Sequence, residues 1–363
     1  MSETHRLQTR VTVERCDDPI AWNRFVTEHR GTPYALWGWG DASEQYGHDR
    51  HYLVAREGGR NKAGADGEIA GVLPLVHIRS RLFGSKLVSP PYAERGSILT
   101  RSGADPAVRD ALLDRTRELA DALDVEFVSL RGADLGTRPE FDHERRFVTF
   151  HIPLDGGSDA VWSRMDDSRQ RGIRQAQDAE IEYDVADSLS DLREFYCLNL
   201  ETMRGHGTPP HSFAFYRTIW DCFFERGHLQ LRLIRKDGDV INGLLDFCLG
   251  DTVYQWGVVS DYEHRSLNGG GLLHWKSMEW AADHGYRTYE LGRTREGTGV
   301  YMFKKRFGGR KVWYDDYHYF PNGRAELPDP DDDRYDRLKT VWKRLPLSVT
   351  STVGPTLRKQ ISL

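Results

Sequence analysis

The stretch 230–291 constrains the fold most. Two apolar, β-branched runs, 230–235 and 240–249, flank Lys236-Asp237-Gly238-Asp239, a strong hairpin signal. A further strand is expected over 252–259. Gly269, Gly270 and Gly271 then open a helix over 272–284, which Gly285 ends, and 287–291 returns as a strand. Hairpin, strand, glycine run, helix and strand make the core of a compact α/β unit. Consecutive glycines at a helix start let backbone N–H groups approach a phosphate, which the helix dipole favours. Close packing or turn geometry explains the same glycines equally well.

The chain is long enough for two domains: 363 residues, at roughly 100–200 per domain. Residues 1–10 are polar and expected to be disordered. Asp18-Pro19 opens a helix over 20–28. The aromatic, Gly-spaced segment 34–47 carries Trp37 and Trp39, read as core-filling side chains with substrate contact as the alternative. Strands are expected at 51–56 and 69–78, with Pro74 marking an edge or a bulge. Short strands at 87–89 and 97–99, a helix over 106–123 and a strand at 126–131 complete a first domain, 1–150. The second, 151–325, follows a strand at 147–154. One helix is expected over 158–177, with Arg164, Arg169, Arg171 and Arg174 giving it a basic face. Then come a strand at 181–185, helices at 189–203 and 213–226, the core unit above and a terminal strand at 313–320. His206 and His211 lie in a Pro/Gly loop between the two helices. No third ligand accompanies them, so a substrate loop or plain connection is expected and no metal site. The remainder, 326–363, is an acidic linker and a basic helical tail with Trp342, Leu345 and Leu347. Such a tail docks on its own domain or rests on an anionic membrane surface.

Composition excludes several classes. The net charge of −5 argues against DNA binding as the role of the whole chain. Cys16, Cys197, Cys222 and Cys248 form no C-x-x-C pair and no disulfide framework, which fits reduced thiols in the cytoplasm. No apolar run reaches the ~18 residues of a membrane span, and no leader peptide is evident.

Residues 288–309 stand apart. A strand ending in Glu290 leads through Gly292 and Arg293 to an aromatic segment holding Lys304, Lys305 and Arg306, closed by Gly308 and Gly309. A basic cluster among Tyr301, Phe303 and Phe307 is suited to an anion. Read as a strand, 301–306 puts Lys304 and Arg306 on one face and Lys305 on the other.

The core unit resembles the acyl-CoA N-acyltransferase (GNAT) fold, in which two adjacent parallel strands splay around the reacting carbonyl. Here these would be 252–259 and 287–291. The fold's pyrophosphate loop, R/Q-x-x-G-x-G/A, is matched by Arg265, Asn268, Gly269, Gly270 and Gly271, with Asn268 at the first glycine position. The stretch from Gly299 to Gly309, GVYMFKKRFGG, is similar to the G-L-Y-x-F-K-x-x-F-G-G segment of the Fem-type (FemAB-like) aminoacyltransferases. Residues 71–92, 162–177 and 204–210 agree with that group. The resemblance implies an α/β (α+β) chain of two tandem GNAT-like domains with mixed sheets. It also implies direct acyl transfer to an amine, with no covalent enzyme intermediate and no tightly bound cofactor. The donor would be aminoacyl-tRNA or acyl-CoA, and the acceptor an amine of a cell-envelope precursor or glycan. Lys304 would stabilise the oxyanion, and Glu290 or Asp246 would serve as base. Tyr254, Arg293, Tyr301, Lys305, Arg306, Trp37, Trp39 and His206 are the expected substrate contacts. Two other readings stay open: a coenzyme A-dependent N-acyltransferase for a small amine or amino sugar, and a non-catalytic module for polyanions.

Overall fold

A computed structural model describes residues 10–58, 67–81, 83–323, 327 and 335–361. The polar N-terminus (1–9) and most of the acidic linker (328–334) lie outside the described residues. The chain divides into two compact units, 1–144 with 316–325, and 145–315 with 326–363.

The first unit contains β1 (Arg10–Arg15), α1 (Pro19–Glu28), α2 (Trp37–Glu44), β2 (Asp49–Gly58), β3 (Glu68–Ser80) and β4 (Gly84–Ser89). β5 (Leu99–Thr100), α3 (Pro106–Ala122), β6 (Phe127–Leu130) and β7 (Asp142–Glu144) follow. The last strand among the described residues, β15 (Asp316–Tyr319), returns to this unit. The sheet order is β1-β2-β3-β4-β6-β15-β7, with β5 beside β3. Only β4 and β6 run parallel; the other neighbours are antiparallel. α3 buries Val108, Leu112, Leu113 and Ala120 against Leu53, Leu73, Leu75 and Val128 of the sheet. Pro74 stands in a central strand, yet at a local edge. β5 pairs with Gly71 and Val72 and β4 starts at Val76, so the missing N–H falls where that side of β3 has no partner.

The second unit contains β8 (Val148–Pro153), α4 (Gly157–Arg164), α5 (Asp167–Gln177), β9 (Glu182–Ala186), α6 (Leu189–His206) and α7 (Phe213–Phe223). β10 (Leu229–Lys236), β11 (Asp239–Leu249), β12 (Thr252–Ser260), α8 (Gly269–Asp283), β13 (Thr288–Glu290), α9 (Gly299–Lys305) and β14 (Arg310–Trp313) complete it. Its sheet order is β14-β8-β13-β12-β11-β10-β9, and only β12 and β13 run parallel. α4, α5 and α8 cover one face and α6 and α7 the other: Asp246 and Asn242 of β11 meet α8, whereas Gly243 meets Phe195 of α6. The tail forms α10 (Asp336–Arg344) and α11 (Leu347–Arg358), both packed on α6.

Four expectations need correction. The boundary falls at 144/145 rather than 150, because β8 pairs with β13 and β14 of the second sheet. The terminal strand is two strands in different sheets, β14 and β15, which moves 316–325 into the first unit. The long basic helix is broken: Met165 is extended, and Asp166 caps α5 by accepting from the Ser168 N–H at 2.8 Å. Its Arg169 is buried against Phe303 and Phe307 rather than solvated. Finally, 301–306 is not a strand. Thr298 accepts from the Tyr301 N–H at 3.1 Å and starts the helix α9. Lys304 therefore faces inward, and Lys305 and Arg306 are both exposed on the outside.

Candidate active site

The second sheet opens at its parallel pair. β12 and β13 are in register at Thr252–Thr288, Val253–Tyr289 and Tyr254–Glu290, and there the pairing ends. Beyond it the two chains part. Leu291 N–H donates to Phe150 O at 3.0 Å and Thr294 pairs with Val148, so this chain follows β8, while β12 continues beside β11 to Ser260. The β11–β12 register shifts by one residue between Leu245 and Asp246, leaving Trp256 as a bulge at the same level. Gly292 turns the chain at φ +64°. A Cβ there would lie 2.8 Å from Gln255 O, so neither the dihedral nor the space admits another residue cheaply. Lys304 reaches this turn from α9 and donates to Gly292 O at 3.1 Å and Arg293 O at 3.2 Å. A buried ammonium thus sits at the mouth of the opening.

The two candidate bases lie on opposite faces of the sheet. Asp246 is wholly buried beneath α8. It accepts from Ser277 Oγ and, at 2.9 Å, from Tyr289 OH, and Arg232 Nη1 stands 3.5 Å away. Burial pushes its pKa up to about 6, against the pull of Arg232, Ser277 and Tyr289. Glu290 leaves the other face, in a row with Tyr254 of β12 and His151 of β8. It is 1% exposed, accepts from Tyr314 OH, and has His151 Nε2 3.3 Å from its Oε2.

At the start of α8, Asn268 adopts φ 55°, ψ 21°. This is the left-handed conformation that Asn, after Gly, accepts most readily, so Asn can replace the first glycine of the loop pattern without changing its shape. Its amide donates to Gln175 at 3.0 Å. Two of the three glycines serve close packing. A Cβ on Gly269 would stand 2.2 Å from Asn242 Oδ1, and one on Gly271 2.9 Å from Arg169 Nη1. Gly270 meets nothing nearer than 3.8 Å. The N–H groups of Gly269 and Gly270, in the first turn, have no acceptor within the helix. Arg265 is exposed just before them. Deeper in α8, His274 stands 2.6 Å from Gly270 O and 3.0 Å from the Gln255 amide, stacked on Phe307. Burial, with Arg169 and Lys304 nearby, lowers its pKa to about 3, so it stays neutral. Burial and Arg306 lower Arg169 to about 10.

The remaining expected contacts scatter. Tyr301 is buried on α9 against Phe150, its hydroxyl 3.4 Å from Glu296. The Arg293 guanidinium lies 4.7 Å over Phe147. His206 contacts Tyr262 OH at 2.8 Å at the end of α6. Trp39 is buried in the first unit and donates to Pro91 O, while Trp37 packs under the Arg50 guanidinium. Lys304 thus holds the backbone of the Gly292–Arg293 turn, and Tyr254 and Glu290 form the last rung of the parallel pair before it. His151, Gln255, His274 and Arg169 escaped the sequence reading. Only Arg169 had a signal there, its place in an arginine-rich segment.

A mixed sheet whose one parallel pair splays, with a helix N-terminus beside it, is the GNAT-type acyltransferase fold, and the chain carries it in tandem. Residues 164–305 match the family model described as acetyltransferase (GNAT) domain. The chain is similar to the crystal structure of FemX, with TM-score 0.66 and 16% identity over 85% of this chain and 97% of that one. L-PGS from Bacillus licheniformis gives TM-score 0.53 and 12% identity over 93% and 97%. A tandem GNAT protein from the clavulanic acid biosynthesis pathway gives TM-score 0.50 and 12% identity over 87% and 100%. The architecture is thus a tandem GNAT-like one, similar in fold to FemX. No curated protein matches the sequence.

Proposed function

We propose that the protein transfers an aminoacyl or acyl group from an activated ester or thioester to an amine, at the β12–β13 opening. The observation that carries this is the end of the parallel pair at Tyr254–Glu290 with the buried Lys304 ammonium at its mouth. The amine nitrogen attacks the carbonyl carbon and a C–N bond forms. The C–O bond of an aminoacyl ester, or the C–S bond of a thioester, breaks, and the leaving oxygen or sulfur takes up the proton the amine gives up. Lys304 stabilises the charge that develops on the carbonyl oxygen, an effect of about 3 kcal/mol for one well-placed donor. Asp246, enclosed beneath α8, braces that helix to the sheet.

Two donors fit. The left-handed Asn268 and the first-turn N–H groups of α8 support a pyrophosphate, and so acyl-CoA. The exposed Lys305, Arg306 and Arg310 near the opening support a longer polyanion, and so aminoacyl-tRNA. The Fem-type architecture supports a cell-envelope amine as acceptor. Among the described residues no helix is long and apolar enough to cross a membrane. α10 turns Leu338 and Val341 outward beside Arg337 and Arg344, which supports contact with an anionic membrane surface.

Parallel assays test the reading: thiol release from acyl-CoA, and nuclease-sensitive transfer from charged tRNA. Turnover in either, lost in Lys304→Met, is the expected result. Turnover in neither, with tight binding of an anionic glycan or lipid, would make the protein a binding module instead.

A further inference from the structure

We infer that His151 is the base that takes the amine's proton, held for that task by Glu290 and Tyr314; this rests on the acyl-transfer reading above. The register places it. Glu290 is opposite Tyr254 on one side and opposite His151 on the other, so the three side chains leave the same face of the sheet in one row. That row is the last ladder position before β12 and β13 part.

The three groups form a chain that ends on the His151 ring. Tyr314, following β14, donates its hydroxyl to Glu290 Oε1. Glu290, nearly sealed, presents Oε2 to His151 Nε2 at 3.3 Å. The His151 side chain is 20% exposed; its Nε2 is sealed from solvent and makes no hydrogen bond, so Glu290 meets it as a charge contact at 3.3 Å. Nδ1 is neither enclosed nor hydrogen-bonded among the described residues. A carboxylate facing Nε2 favours the tautomer with its proton there, leaving a lone pair on Nδ1. The charged and titratable groups facing the ring are Glu290 on β13, Arg310 opposite it on β14, and Tyr314. Of these Glu290 is the acidic one, with Oε2 3.3 Å from Nε2.

The step balances. The Nδ1 lone pair accepts the proton from the attacking nitrogen, directly or through one water, as the C–N bond forms. The imidazolium returns that proton to the departing oxygen or sulfur as the C–O or C–S bond breaks. His151 ends neutral, ready for the next turn.

The test uses the full chain and whichever donor the wild type turns over. General-base catalysis is worth about 10²–10⁴-fold, so His151→Gln should lower kcat by at least 10²-fold with KM held within threefold. It should also lose the acid limb of the pH–kcat profile, with partial rescue by added imidazole. Glu290→Gln should move that limb. A kcat within threefold of wild type, or an unchanged acid limb, overturns the inference. NMR of ¹⁵N-histidine-labelled protein gives a readout without turnover: the His151 ring should carry its proton on Nε2, and Glu290→Gln should redistribute it. An Nδ1–H tautomer in the wild type overturns the inference regardless of activity. A wild type that turns over neither donor contradicts the acyl-transfer reading, and the NMR result still decides whether the pair exists.

Discussion

The two units carry the same device and use it differently. Each sheet has one parallel pair among antiparallel neighbours, β4–β6 in the first and β12–β13 in the second. In the first, the chain itself bridges the end of the pair. Arg131 N–H reaches Ser89 O at 3.3 Å, Gly96 N–H reaches Arg131 O at 3.2 Å, and Ser89 Oγ donates to Gly96 O at 2.9 Å. Tyr92 and Ala93 are buried in the intervening segment, and Trp39 and His48 bond to Pro91 O and Tyr92 OH. In the second unit the strands part after Glu290. An ammonium, a histidine–carboxylate pair and a glycine turn stand at the gap. A fold that opens a sheet can be kept as scaffold by filling the opening with backbone and aromatic rings, or kept as a site by lining it with charge.

The sharpest way to break this contrast is to remove the charge. Lys304→Met should lower kcat/KM by about 10²–10³-fold, as loss of one oxyanion donor does. Ser89→Ala at the matching place in the first unit should stay within threefold. Steady-state transfer assays of the pair decide it, and equal losses would dissolve the distinction.

Asp246→Asn should disturb the acceptor that Ser277, Tyr289 and Arg232 share, read as a lower urea midpoint, while activity per folded molecule is kept. The wild-type pH dependence has a definite sign. The folded pKa of about 6 exceeds the unfolded value of 3.8, so the stability this group contributes is present below pH 3.8 and is lost as pH rises through 6. Asp246→Asn should remove that component between pH 4 and 6; a variant that is dead yet fully stable would make Asp246 a catalytic group.

Gly292→Ala places a Cβ at φ +64° against Gln255 O and should cost about 1–2 kcal/mol from the left-handed backbone alone. Thermal denaturation measures that cost, and transfer assays should show a fall in kcat. The smallest effect is expected at the tail. Leu338→Glu with Val341→Glu should weaken sedimentation with phosphatidylglycerol vesicles severalfold and leave transfer to a soluble amine unchanged. Equal binding to neutral phosphatidylcholine vesicles would contradict the charge-based reading.

Much of the second unit was legible because local signals agreed with one another. The Asp237-Gly238 turn set the β10–β11 hairpin, and Gly269 to Gly285 framed α8. α9 was misread because Val300, Tyr301, Met302 and Phe303 invite a period of two, and nothing in them announces that Thr298 caps a helix. The break at Met165 turned on one side-chain cap, Asp166 on Ser168, which competes with strong helix formers on both sides. His151 was silent for a different reason. Its partners, Glu290 and Tyr314, are far along the chain, and only the antiparallel register of β8 and β13 brings them together.

The central claim is that chemistry occurs at the second opening and not at the first. Photocrosslinking with a donor analogue carrying a diazirine beside its carbonyl, read by peptide mass spectrometry, tests it directly. Label is expected in 254–258 and 291–305 of the second unit. Label concentrated in 89–96 and 130–132 of the first unit would contradict it.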